Sequence, residues 1–84
     1  MITVLYFARL RESLGLDREQ IELSSSLSTV GDLIAHLRAR GGAWQTELAP
    51  GKPVRIAVDQ DMANPATPLA DGCEVALFPP VTGG

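Results

Sequence analysis

Only one stretch of this chain repeats its apolar residues at helical spacing, and that limits what the rest can become. Val30, Leu33, Ile34 and Leu37 fall along one side of a helix, while Asp32, His36 and Arg40 fall on the other. Thr29 precedes the stripe with Asp32 three positions on, a variant of the capping box that satisfies the free amides of a helix start. Gly41-Gly42 supplies a C-terminal stop. A lone helix cannot bury its stripe against itself, so the stripe calls for a sheet.

The flanking segments are patterned to provide that sheet. Ile2, Val4 and Tyr6 alternate with Thr3, Leu5 and Phe7, which reads as a strand over residues 2 to 8 with apolar character on both faces. A turn is expected around Gly15-Leu16-Asp17. Arg18 to Leu23 then places Ile21 and Leu23 on one side and polar groups on the other, which suits an edge strand. Ser24 to Ser28 is a polar connector. Beyond the helix, Ala43 to Pro53 is turn-like, Val54 to Val58 alternates as a strand, and Asn64 to Pro68 reads as a long loop. Asp71-Gly72 is a turn before a last strand, Glu74 to Phe78, in which Val75 and Leu77 face opposite to Ala76 and Phe78. The order ββαββ predicts an α+β fold of β-grasp, ubiquitin-like form: a mixed sheet crossed by one main helix, with the last strand beside the first.

A chain of 84 residues makes one domain, burying about 60 to 65% of its unfolded surface. Residues 1–78 are expected to form it, and residues 79–84 an extended tail. A net charge of −3 with Lys52 as the single lysine argues against nucleic-acid binding and for basic partners. No cationic segment precedes an apolar run, and no run has the length to span a bilayer, so the expectation is a soluble cytoplasmic protein that does not bind membranes. Cys73, the single cysteine, reads as a small hydrophobe at a strand entry, and His36 as a solvated helix residue. Trp44 reads as a packing residue at the sheet edge. No phosphate-cradling glycine loop, nucleophile–base pair or metal-ligand spacing is present, so the chain is not expected to be catalytic alone, nor to hold a cofactor.

The chemistry is expected at the end of the chain. Pro79 and Pro80 fix φ and favour an extended path. Val81 and Thr82 lead on to Gly83 and Gly84, which carry no Cβ, so a partner can close around them. The extended reach from Pro79 to Gly84 is about 20 Å, enough to enter a pocket on another protein. The Gly84 carboxylate is ionised at neutral pH and must be activated before it can transfer an acyl group.

The ending Leu77-Phe78-Pro79-Pro80-Val81-Thr82-Gly83-Gly84 resembles the C-terminus of the molybdopterin synthase small subunits, a family of ubiquitin-like sulfur carriers. Ile2 to Arg9 with Arg11-Glu12 and Gly15 resembles that family's first strand and turn, and Pro68 to Gly72 its last turn. Asp59 departs from the asparagine expected there. The resemblance implies that a ubiquitin-activating-like adenylyltransferase spends ATP to adenylate Gly84, and that a sulfur donor protein then leaves a thiocarboxylate. It further implies that residues 79–84 insert into the large catalytic subunit of a heterotetramer, where the sulfur is given to the cyclic pyranopterin monophosphate precursor of the molybdenum cofactor's dithiolene. Phe7, Phe78 and Met62, the last in the loop that precedes the final strand pattern, are expected to dock the partner, and the resemblance adds Arg11. Three other readings remain: a carrier for thiamine thiazole synthesis, a protein modifier, and an interaction module without chemistry.

Overall fold

The computed structural model describes residues 1–80. Strand β1 (Ile2–Tyr6) is followed by helix α1 (Ala8–Leu14), edge strand β2 (Arg18–Ile21), helix α2 (Val30–Arg38), helix α3 (Gly42–Glu47), and strands β3 (Arg55–Val58), β4 (Asp61–Met62) and β5 (Glu74–Phe78). The strands form one mixed sheet in the order β2-β1-β5-β3-β4. β1 and β5 pair in parallel at its centre, Val4 opposite Val75 and Tyr6 opposite Leu77. The β-grasp expectation holds.

Alternation divides the sheet into two unlike faces. Ile2, Val4, Tyr6, Val75, Leu77 and Ile56 point to the side covered by the helices and join Val30, Leu33 and Leu37 of α2 in the core. Cys73 is buried just before β5, and its carbonyl accepts from the Thr3 amide at 3.0 Å. The α2 start is built as the sequence indicates. Thr29 Oγ1 accepts from the Asp32 amide, and the Asp32 carboxylate accepts from the Ser28 and Thr29 amides at 3.1 Å. Those two backbone bonds hold the Asp32 carboxyl below its ordinary range.

Three elements differ from the sequence expectation. The first strand ends at Tyr6, and the chain then turns at Ala8, whose φ of 52° is left-handed, a conformation that costs a non-glycine residue about 1 to 2 kcal/mol. That bend launches α1, a helix that the sequence reading did not assign, ahead of the turn expected at Gly15. Its apolar signal is only Leu10 and Leu14, one i,i+4 pair, too short to read as a period. Helix α3 replaces the expected turn after Gly42 for a similar reason: six residues carry Trp44 as their one large apolar side chain. Strand β4 was read as loop. Asp59 and Gln60 both adopt positive φ, 48° and 72°, as in the tight hairpin turns usually built with Asn-Gly, and so fold Asp61–Met62 back onto Val58 and Ala57. Asp59 also ties β3 to β5, since its carboxylate accepts from the Glu74 amide at 2.9 Å and its amide donates to the Glu74 carbonyl at 2.8 Å.

Arg40 and Trp44 take part in one cluster against the β1–β2 side of the sheet. Arg40 lies beyond the end of α2 and makes a two-pronged pair with Glu19 of β2, both bonds 2.8 Å. The Tyr6 hydroxyl donates to the same carboxylate at 2.7 Å. Trp44 stacks edge-on against Tyr6 at 5.4 Å, and the Arg40 guanidinium sits 4.5 Å over its ring. Trp44 is therefore a packing residue that joins α3 to the sheet edge. Burial alone would raise the Glu19 carboxyl, but the hydrogen bonds from Arg40 and Tyr6 outweigh it and hold the group below its ordinary 4.5. Burial, then the bond to Glu19, pushes the Tyr6 hydroxyl well up.

A carboxyl with a depressed folded pKa contributes stability that is present above its unfolded value and lost as pH falls through the folded one. Glu19→Gln should therefore cost about 1 to 3 kcal/mol in urea unfolding at neutral pH, and the gap to the parent should narrow as the pH is taken below 4.5. A gap independent of pH would contradict this account of the cluster.

Candidate functional site

The helices leave the second face of the sheet bare, and its middle is apolar. Leu5 stands opposite Ala76, Ala76 opposite Ala57, and Ala57 opposite Met62, so one row of side chains crosses β1, β5, β3 and β4. One step toward the end of β5 lies Phe78. Phe7 follows Tyr6, and its amide donates to the Leu77 carbonyl at 3.2 Å, which places it alongside Phe78. Phe7 is 45% exposed and Met62 63%. Leu5, Ala76 and Phe78 are half-buried and Ala57 is buried. An apolar stripe on the open face of a mixed sheet is unusual, because that face has no core to reach.

The structure brings Phe7 and Phe78 together as the alternation suggests, and neither belongs to the monomer core. Met62 occupies β4, not a loop, and reaches the same face through its pairing with Ala57. Arg11 is exposed on α1, its amide bonded to the Phe7 carbonyl at 3.4 Å. Leu5, Ala57 and Ala76 were missed as site residues, although apolar residues on both faces of the first and last strands were the signal that could have found them. Pro79 and Pro80 continue from β5 beside Phe78 and are half-buried. Val81, Thr82, Gly83 and Gly84, the remaining tail residues, lie outside the described residues. Among the described residues no three His, Cys, Asp or Glu side chains gather as a metal site, and no helix is long and apolar enough to cross a membrane.

Residues 4–84 match the model of the ThiS family, and the chain belongs to that family. It is 44% identical over 84 residues to the molybdopterin synthase sulfur carrier subunit of Escherichia coli, covering all of both chains. Among solved structures it resembles SAMP1, a small archaeal modifier protein, of Haloferax volcanii, with a TM-score of 0.80 and 26% identity over 99% of this chain and 98% of that one. It also resembles a chain of the complex of subunits 1 and 2 of the molybdopterin-converting factor of Helicobacter pylori, with a TM-score of 0.67 and 25% identity over 99% and 97%.

The bare stripe and the core should respond oppositely to truncation. Phe7→Ser and Met62→Ser should each change unfolding free energy by less than about 1 kcal/mol, whereas Leu77→Ala, on the covered face, should cost about 2 to 5 kcal/mol. A loss for Met62→Ser as large as that for Leu77→Ala would contradict the assignment of faces.

Proposed function

We propose that this chain is the sulfur carrier subunit of a molybdopterin synthase, and that its sulfur travels as a thiocarboxylate on Gly84. The observation that carries the reading is the end-to-end match to a sulfur carrier subunit at 44% identity. The Helicobacter pylori relative, solved as a complex with a second subunit, supports a large catalytic subunit as the principal partner.

On this reading the chain itself supplies an acyl group and a docking surface, and its partners supply the catalysis. The Gly84 carboxylate attacks the α-phosphorus of ATP on a ubiquitin-activating-like adenylyltransferase, releasing pyrophosphate. A donor protein's persulfide then attacks the acyl carbon, the acyl–sulfur bond forming as AMP leaves, and a thiol cleaves the resulting acyl disulfide, becoming oxidised to a disulfide and releasing the thiocarboxylate. In the large subunit that sulfur attacks the cyclic pyranopterin monophosphate precursor, hydrolysis returns the carboxylate, and two deliveries complete the dithiolene. Gly83 and Gly84 let the pocket close tightly around the arm, while Pro79 and Pro80 limit the entropy lost when it is ordered.

The tail cannot supply the affinity. Ordering each of its residues costs on the order of 1 kcal/mol, so the face beside it must provide the favourable term. Burying Phe7, Met62 and Phe78 is worth about 5 to 9 kcal/mol if each starts fully exposed. Phe78 is already half-buried, which lowers the sum, and Leu5 and Ala76 beside it add to the contact. The result is comparable with the about 4 to 15 kcal/mol lost on association. A second reading, that the chain modifies proteins through an isopeptide bond, draws on the likeness to SAMP1.

The test is the intact mass of the chain after incubation with ATP, a sulfur source and the host's activating enzyme, beside a chain lacking Gly84. The full chain alone should gain the mass of an oxygen-to-sulfur exchange at its C-terminus. No change, with an activating enzyme that loads another carrier, would overturn the reading. Covalent conjugates to lysines of other proteins without any sulfur-loaded form would favour the modifier.

A further inference from the structure

The bare face carries charge as well as apolar area, and the charge is arranged. Arg18 stands opposite Leu5 in the β1–β2 register, and Arg55 opposite Phe78 in the β3–β5 register. Directly opposed residues share a face, so Arg18 borders the apolar stripe beside Leu5 at its β2 side and Arg55 borders it beside Phe78. Both are exposed. Among the described residues the ion pairs are Met1 with Asp71, Arg9 with Glu47 and Arg40 with Glu19, which leaves Arg18 and Arg55 without a carboxylate in reach. Glu74 lies toward the other end of the sheet, opposite Thr3 near the start of β1, with Asp59 bonded to it, and Glu19 of β2 is taken up by Arg40. In a chain of net charge −3, the part of this face beside Phe78 is thus locally cationic.

We propose that Arg18 and Arg55 are specificity residues of docking, each meeting a carboxylate of the large synthase subunit on either side of the apolar contact. The proposal rests on the sulfur carrier reading and adds the partner's chemistry: an apolar patch flanked by two acidic groups. An apolar stripe is non-directional and tolerates sliding. Two guanidinium groups do not, because a slipped complex leaves each of them facing apolar or like-charged surface. β1 and β5 lie between β2 and β3, and Arg55 is level with Phe78, two residues beyond the Ala76 that is level with Arg18, so the two positions stand about 16 Å apart on the sheet. That exceeds the Debye length of about 8 Å at physiological salt, so they should act independently.

The experiment measures association of the full chain with its large subunit at low and physiological ionic strength. Arg18→Glu and Arg55→Glu should each lower kon about tenfold at low salt, the double variant about a hundredfold, with the effect shrinking as salt rises. Arg18→Lys and Arg55→Lys should retain most of the parent rate, and all variants should melt with the parent. Unchanged kon and salt dependence in both charge reversals, with a parent that binds, would overturn the proposal and leave the carrier reading intact. A parent that fails to bind its large subunit would overturn the carrier reading, and this proposal with it.

Discussion

The parallel pairing of β1 with β5 is the constraint from which the rest of the architecture follows. It joins the two ends of the chain at the centre of the sheet, Val4 against Val75 and Tyr6 against Leu77, and parallel neighbours require a long crossover between them. The helices α1, α2 and α3 lie within that crossover, and the core they build with the sheet includes Val4, Tyr6, Val75 and Leu77. Because side chains alternate, the same pairing sets Leu5 and Ala76 together on the opposite face, with Phe7 and Phe78 one step farther along it. One register thus specifies both a covered face and a bare one.

The covered face gains its definition from polar contacts placed where packing alone would leave freedom. The Thr29–Asp32 box fixes where α2 begins. At its other end the chain runs past Arg38 to Arg40, which grips Glu19 across the sheet edge while Trp44 fills the space against Tyr6. Helix entry is therefore fixed by local bonds and helix exit is tied to the sheet edge. The other face is left bare, and the strand that ends at Phe78 continues directly into Pro79 and Pro80. On the proposed function, docking and delivery share that one strand: the face that grips the large subunit also starts the arm that enters it.

Much of this was legible in the sequence, and what was not has physical reasons. Alternation over Ile2 to Phe7 and over Glu74 to Phe78 revealed two-faced strands, and the Thr29–Asp32 spacing located the helix. Helices α1 and α3 escaped because seven and six residues are too few to show a period, and tertiary contacts of Leu10 and Trp44 hold them instead. Strand β4 escaped because Asp59-Gln60 adopts a turn usually marked by glycine or asparagine. Arg40 was legible only as lying opposite the apolar stripe, and only the fold brings Glu19, 21 positions away, within reach. The stripe was half legible: Phe7, Met62 and Phe78 stand out as large side chains, whereas Ala57 and Ala76 gain meaning only from the strand order.

The account turns on the bare face of the sheet being the docking face, and backbone and methyl chemical-shift mapping during titration with the large subunit tests that most directly. Shifts concentrated at Leu5, Phe7, Ala57, Met62, Ala76 and Phe78, with Leu33, Leu37 and Trp44 unmoved, are the predicted result. Shifts concentrated on α2 and α3 with the stripe unchanged would contradict it.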